Sequence, residues 1–346
     1  MSDQTTPLLA LTMGDPAGVG PEIIAKAVAE PEVQRTSRPL VIADAAVMRA
    51  AIEITGVPLE VLAVQEPEQA RFAPNTMVVL DLANVDLGSL KRGVIAPEAG
   101  RAAIDAIWRA AELAMADRVD AIVTAPIHKE AARQAGMPFP GHTEALAHLS
   151  GVPAGQESLM LASDRLRIAH VTTHCSIKSV ASALRIERIV HVGHLAAEAA
   201  RLMGAPRGRI ALAGLNPHAG EHGLFGEEEA SIIIPACEQL RAERVDAVGP
   251  LPPDTVFYRA FQGEFDAVVA MYHDQGHIAM KMVAFDDGVN VTLGLPIIRT
   301  SVDHGTAFDI AGTGKARAVN MLAAIRLATR MAATRRERVA AEAGAS

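Results

Sequence analysis

The chain has 346 residues and a formal net charge of −8 at neutral pH. That balance argues against a nucleic-acid partner, which would need a basic face, and an aromatic content of 3% leaves little for base stacking. Half of the residues are hydrophobic without a run of about 18 apolar residues, so one or two globular domains with ample buried surface are expected, and no transmembrane helix.

The first residues, Met1 to Pro7, lack the basic start and long apolar core of a signal peptide. Cys175 and Cys237 form neither a disulfide framework nor a Cys-x-x-Cys pair, so a cytoplasmic location is expected. Residues 8–12 read as a strand and 21–30 as a helix. Strands follow at 40–43 and 77–80, a long helix at 97–116 and a buried strand at 121–125. Further on come a strand at 168–172, a helix at 186–203, strands at 210–214 and 267–271, and a last helix at 319–333 with a frayed tail. Apolar strands alternating with Ala-rich helices predict an α/β layer protein with a largely parallel sheet. Composition shows no boundary between subdomains.

Polar motifs stand where these strands end, which is where open α/β sheets gather ligands. Gly14-Asp15-Pro16-Ala17-Gly18-Val19-Gly20-Pro21 follows the first strand. It matches neither the dinucleotide fingerprint nor the Walker loop, so it reads as a tight strand-to-helix turn, with Pro21 at the helix start and Asp15 as a site-facing candidate. His174, His218 and His273 each follow a strand-like run. Imidazole is the commonest metal ligand, but the three lie far apart in sequence, and a capping or hydrogen-bonding role stays open. His222 and His277 lie close to two of them. Gly141-His142-Thr143-Glu144 reads as a loop entering a helix, whose first N–H groups attract anions, or as a plain capping turn. Lys281, Asn290 and Arg299 are spaced to face one pocket from successive elements, and Lys and Arg suit a phosphate.

Taken together these segments resemble the 4-hydroxythreonine-4-phosphate dehydrogenase family of vitamin B6 biosynthesis. The likeness rests on Gly14-Asp15-Pro16-Ala17-Gly18, Gly141-His142-Thr143-Glu144, Thr172-Thr173-His174, Asn216-Pro217-His218-Ala219-Gly220-Glu221, Pro253-Asp254-Thr255, Tyr272-His273-Asp274-Gln275-Gly276 and Arg299-Thr300-Ser301-Val302-Asp303-His304-Gly305. It implies two α/β/α subdomains of isocitrate/isopropylmalate dehydrogenase type with the site in the cleft. Their expected bounds are 1–125 plus 285–346 on the cofactor side, and 126–284 on the metal and dimer side. It also implies a homodimer that shares its metal site between subunits. By resemblance His174, His218 and His273 bind a divalent metal (Zn, Mg or Co), and His142, Thr143, Lys281, Asn290 and Arg299 bind substrate. Asp303, His304, Gly305, Thr306, Ala307, Asp309, Ile310 and Gly312 look like the cofactor loop of isopropylmalate dehydrogenases, which bind NAD without a Rossmann fingerprint, and this implies NAD or NADP as the cofactor here.

The reaction this implies is oxidation with decarboxylation of 4-phosphooxy-L-threonine to 3-amino-2-oxopropyl phosphate. The alternative is the family branch that converts D-threonate or D-erythronate 4-phosphate to dihydroxyacetone phosphate. Thr173-His174-Cys175-Ser176-Ile177-Lys178 and Gln275-Gly276-His277-Ile278 look closer to that branch. A third branch oxidises a cis-dihydrodiol dicarboxylate without phosphate. Asp254 and Asp274 are candidates for supporting the histidines or moving a proton. From other classes, a nicotinamide-independent lyase or isomerase and a non-catalytic ligand sensor stand as further alternatives.

Overall fold

The computed structural model describes residues 6–344. The readings of residues 1–5 as free of a leader and of 345–346 as tail lie outside the described residues. Strands run in chain order as β1 (Leu8–Thr12), β2 (Arg38–Ala43), β3 (Glu60–Val64), β4 (Thr76–Asp81), β5 (Ala121–Thr124), β6 (Ser158–Ala162), β7 (Arg167–His170), β8 (Ile210–Ala213), β9 (Ala247–Leu251), β10 (Ala267–Ala270), β11 (Val289–Leu293) and β12 (Arg299–Val302). The chain divides into two compact units. Unit 1 takes the residues up to Ala154 and from Leu295 onward, and unit 2 is Gly155–Gly294. Unit 1 carries α1 (Gly20–Ala29), α2 (Pro31–Thr36), α3 (Ala45–Thr55), α4 (Pro97–Met115), α5 (Lys129–Gln134) and α6 (His142–Leu149). Unit 2 carries α7 (Ile177–Ala183), α8 (Ile186–Leu202), α9 (Ile234–Ala242), α10 (Pro253–Phe261) and α11 (His273–Val283), and α12 (Val319–Gly344) completes unit 1.

In unit 1 the strands lie in the order β3-β4-β2-β1-β5-β12, every pair parallel. Parallel strands are covered on both faces, which is why β1, β2 and β5 read as unbroken apolar runs. Leu40, Ile42, Val78, Leu80 and Ile122 pack with Ile107, Ala110 and Leu113 of α4 into one core. Each such side chain contributes about 1.5–3 kcal/mol on burial. Helix α3 shows both terminal signals. The Asp44 carboxylate accepts from the N–H groups of Ala46 and Val47 at 2.8 and 3.3 Å, and Gly56 ends the helix at φ +65°.

In unit 2 the order is β11-β6-β7-β10-β8-β9. Strands β7, β10, β8 and β9 are parallel, while β6 runs antiparallel to both β7 and β11. Ile168, Ala211, Val256, Phe265, Val268 and Met280 form its core.

The α/β class holds, and the strands and helices expected from the sequence appear at their places. The unit boundaries fall later than the expected 125 and 284. Residues 126–154 stay with unit 1 because Ala132, Met137 and Ala145 pack with Ile104 of α4. Residues 285–294 belong to unit 2 because β11 is zipped to β6 from Val289↔Ala162 to Leu293↔Ser158. Helix α12 runs on to Gly344 instead of ending near 333. Arg336 grips both oxygens of Asp120 at 2.6 and 2.7 Å and holds that stretch down.

Gly100 marks the closest approach of α4 to α5. A Cβ there would stand 2.2 Å from the Ala131 carbonyl oxygen. Gly100→Ala should therefore cost about 1–3 kcal/mol through overpacking, read as a lower urea midpoint at an unchanged m-value. An unmoved midpoint would show that the two helices part without cost.

Candidate functional sites in the two units

In unit 1 the turn after β1 and the turn after β5 are joined. The N–H of Asp15 donates to the Pro126 carbonyl at 3.0 Å. Gly14 lies at φ +71°, and a Cβ there would sit 2.3 Å from the same carbonyl oxygen, so only glycine fits. The expected tight turn is therefore observed, with Pro21 in the first turn of α1. Asp15 is buried. Its Oδ1 accepts from the Ala17 N–H at 2.9 Å, while Oδ2 is buried without a partner. Burial pushes the Asp15 carboxyl above its ordinary value, opposed by the Ala17 N–H and by His128. His128 stacks on Phe308 with ring centroids 4.8 Å apart.

Beside this turn stands a cationic group. Arg299, the first residue of β12, is 3% exposed, yet its Nη2 donates to Thr124 Oγ1 at 2.7 Å. Burial lowers its pKa to about 10, opposed by Glu144, so the guanidinium stays charged at neutral pH. His142 and Thr143 open α6, with Gly141 as N-cap. The His142 Nε2 is buried without a partner. Burial first, then the charges of Arg299 and Lys129, push its pKa well below the ordinary histidine value. Arg299, Thr124 and a neutral His142 thus form a buried group suited to an anion.

The loop carrying the expected cofactor residues is also in unit 1 and is held from beneath by α1. Glu22 is buried and its carboxylate accepts from the N–H groups of Gly312 and Gly314 at 2.5 and 2.9 Å. Lys26 Nζ donates to the carbonyls of Gly314 and Ala316. The Thr306 carbonyl accepts from the Val19 N–H at 3.0 Å, and a Cβ on Gly18 would meet Thr306 at 2.9 Å. The Asp303 N–H donates to Asn320 Oδ1 at 2.6 Å. Ala307 and Gly312 adopt positive φ, at 44° and 80°. His304, Gly305 and Asp309 are exposed, whereas Ile310 and Gly312 are half-buried. Backbone groups fixed in this way, with an open rim, suit a ligand that approaches the main chain. Sequence reasoning missed Glu22 and Lys26, because charges at the two ends of a helix are commonplace.

Unit 2 holds the imidazoles. His174 and His273 leave β7 and β10 at one edge, with ring centroids 5.6 Å apart. His273 Nδ1 lies 2.7 Å from Asp274 Oδ1. An Nδ1–H donated to that carboxylate would leave the lone pair on Nε2. His277 stacks on His273 at 3.5 Å, and His170 lies 4.8 Å from His277. His170 Nδ1 is 3.1 Å from the Leu159 carbonyl, and burial together with His277 lowers its pKa to about 3. His218 is exposed on a separate turn beside Phe225. The structure therefore brings His174 and His273 together and leaves His218 apart. Among the described residues no group of three His, Cys, Asp or Glu side chains of one chain could hold a metal ion. Asp254 is exposed at the start of α10. Lys281 lies on α11 with Nζ 5.2 Å from the Phe285 ring, and Asn290 on β11 has a buried, unpartnered Oδ1. Of the substrate candidates, then, His142, Thr143 and Arg299 belong to unit 1, and Lys281 and Asn290 to unit 2.

Two buried side chains fix the strand ends of unit 2. Gln275 Oε1 accepts from the Met271 N–H and its Nε2 donates to the Gly214 carbonyl, both at 2.7 Å, tying the end of β10 to that of β8. Glu229 accepts from the N–H groups of Leu215 and Asn216 at 2.7 and 2.8 Å. In sequence Glu229 ends the acidic run Glu227-Glu228-Glu229, which looks like a solvated face.

The His142 environment has a measurable consequence. A histidine kept neutral in the fold and free to protonate when unfolded weakens the native state as pH falls below about 6.5, by up to about 1.4 kcal/mol per pH unit. His142→Asn should therefore show a shallower loss of unfolding free energy than the parent chain between about pH 6.5 and 5. Identical slopes would show that the imidazole is freely hydrated in the native protein.

Comparison with known proteins places the chain in a family. The family model of pyridoxal phosphate biosynthetic protein PdxA matches residues 35–328. The chain is 48% identical over 340 residues to a D-threonate 4-phosphate dehydrogenase of Cupriavidus necator, covering 97% of this chain and 100% of the relative. It is 46% identical to a 4-hydroxythreonine-4-phosphate dehydrogenase of Desulforapulum autotrophicum, covering 93% and 94% of the two chains. The crystal structure of a 4-hydroxythreonine-4-phosphate dehydrogenase from Klebsiella pneumoniae superposes with a TM-score of 0.89 at 46% identity, covering 96% of this chain and 99% of that one. The relatives are dehydrogenases, and the chain belongs to the PdxA family.

Proposed function

We propose that this chain is a metal- and NAD(P)-dependent dehydrogenase that oxidises and decarboxylates a 4-phosphorylated four-carbon 3-hydroxy acid. The observation that carries the reading is the buried cationic group of unit 1. A guanidinium 3% exposed, hydrogen-bonded to Thr124 and set beside a neutral imidazole, has the donors an anionic phosphate needs. His142, Thr143 and Arg299 would bind the phosphate, and Lys281 and Asn290 stand as the substrate-binding candidates of unit 2.

The donor sets also suit the two groups the family implies. His174 and His273 are neighbours and Asp274 can set the tautomer of His273, so a divalent cation (Zn, Mg or Co) would find one oriented nitrogen with a second imidazole beside it. His218 stands apart, so we infer a trio completed across a homodimer. Helix α11 supports a second copy as partner: Ile278 and Met282, one turn apart, are 65% and 80% exposed, and Phe285 just beyond is 73% exposed. The 303–314 loop, with its main chain held by Glu22, Val19 and Asn320, would hold NAD or NADP. When bound, the cation would acidify the substrate hydroxyl and the nicotinamide would take up hydride. Asp274 then orients His273, and Asp254 stands as a candidate for proton transfer. The isocitrate/isopropylmalate dehydrogenase type of subdomain arrangement belongs to the same proposal. So does a cytoplasmic site of action, which two free cysteines suit. Among the described residues no helix is long and apolar enough to cross a membrane.

The substrate we favour is 4-phosphooxy-L-threonine. D-threonate or D-erythronate 4-phosphate is the second reading, favoured by the 48% identity to the Cupriavidus necator enzyme. Purified protein with Zn, Mg or Co should form NADH or NADPH with one of these phosphorylated acids and not with its dephosphorylated form. Arg299→Ala should raise KM for the phosphorylated acid by about 10- to 100-fold, and His218→Ala should abolish turnover while leaving the circular dichroism spectrum intact. Equal rates with and without phosphate would sink the phosphate assignment. Substrate loss without reduced nicotinamide would select the lyase or isomerase class instead.

A further inference from the structure

His218 is presented by an unusual piece of backbone. Five consecutive residues, His218, Ala219, Gly220, Glu221 and His222, lie at φ 54, 54, 81, 43 and 59°. Four of them carry side chains, and L residues avoid runs of left-handed conformation because Cβ crowds the following carbonyl. Such a turn persists only where its surroundings over-determine it.

The surroundings centre on one carboxylate. Glu229 is 4% exposed. Its Oε1 accepts from the N–H groups of Leu215 and Asn216 at 2.7 and 2.8 Å, and its Oε2 accepts from the Asn216 side-chain amide at 2.9 Å. The far side of the turn closes on the same group: a Cβ on Gly220 would stand 2.7 Å from Glu229 Oε2. The near side is as tight, since a Cβ on Gly214 would lie 2.9 Å from Ala219 Cα and 3.3 Å from Glu229 Oε1. The loop therefore wraps the carboxylate from Gly214 to Gly220, and His218 lies within the wrapped segment.

We propose that Glu229 is the positioning residue for His218: its buried carboxylate templates the left-handed turn and so fixes where the imidazole is held. The proposal rests on the reading of His218 as a metal ligand. Glu229 touches neither cation nor substrate in this account. It acts through the main chain of residues 215–220. Replacing Oε2 by an amide N–H2 would set donor against donor at Asn216 Nδ2, while the two bonds to Oε1 could persist, so Glu229→Gln loosens the turn without emptying the core.

The test is Co(II) binding to the full-length protein, without substrate, followed by calorimetry and by the visible absorption of bound Co(II). Parent, His218→Ala, Glu229→Gln and Gly220→Ala chains are compared, each with its melting temperature. Glu229→Gln and Gly220→Ala should both raise the Co(II) dissociation constant about tenfold or more. The Co(II) concentration for half-maximal NADH formation should rise by a similar factor. A merely structural role would lower the melting temperature and leave Co(II) affinity unmoved. If His218→Ala loses Co(II) while Glu229→Gln and Gly220→Ala bind it as the parent does, the positioning role is overturned and the metal reading survives. If His218→Ala binds Co(II) as the parent does, the metal reading falls and this proposal with it. Should Glu229→Gln fail to fold, Gly220→Ala alone decides, because it retains the carboxylate while disturbing the turn wrapped around it.

Discussion

In a parallel pair both strands must leave the sheet at the same edge, and the chemistry of this chain follows from that constraint. Thr12 of β1 is paired with Thr124 of β5, so the turns that follow begin side by side and can be stitched by the bond from Asp15 to Pro126. In unit 2 His170 is paired with Ala270, and Val269 with Leu212. The segments leading to His174, His273 and His218 therefore start from one edge. Gln275, bridging Met271 and Gly214, exists in that geometry only because β10 and β8 end together. Arg299 is the exception that proves useful: it begins β12 opposite Ile122, and its long side chain reaches two residues further, to Thr124.

Such an edge is costly to build. The left-handed run from His218 to His222 puts about 1–2 kcal/mol on each residue that is not glycine. Hydrogen bonds to a buried carboxylate are worth about 1.5–3 kcal/mol each, and Glu229 makes three. The two terms are of the same size, so the turn is held at little net cost while Glu229 stays in place. Glu22 does similar service in unit 1, where its carboxylate takes the N–H groups of Gly312 and Gly314. Each unit thus spends one buried acid on holding a loop rather than on reacting with anything.

This pattern explains what could be read from sequence. Apolar runs such as 8–12, 121–125 and 267–271 announced their strands, because strands covered on both faces are mostly apolar. Strand β12 was invisible: Arg299-Thr300-Ser301-Val302 is buried but mostly polar, and its side chains are satisfied by partners far away in sequence, Thr124 and the Ala324 carbonyl among them. Imidazoles after strand ends were legible as candidates, and His174 and His273 do meet. Nothing local could say that His277 would stack on His273 or that His218 would stand apart. Glu22 and Glu229 were hidden for a common reason. A carboxylate that binds backbone N–H groups leaves no pattern of residue types, since its partners are main-chain atoms that every sequence possesses.

The neutrality of His142 fits the cationic character of its surroundings. Arg299 is buried and still charged, and Lys129 adds a second positive charge felt by the imidazole. A third cation there would meet both repulsion and desolvation, and the fold would have to bear that cost before any ligand arrived. A neutral imidazole keeps one nitrogen to donate or accept without adding charge there. An anion placed beside it would be met chiefly by Arg299, whose Nη2 is held by Thr124. A buried guanidinium is costly to desolvate, and an anion beside it would offset part of that cost.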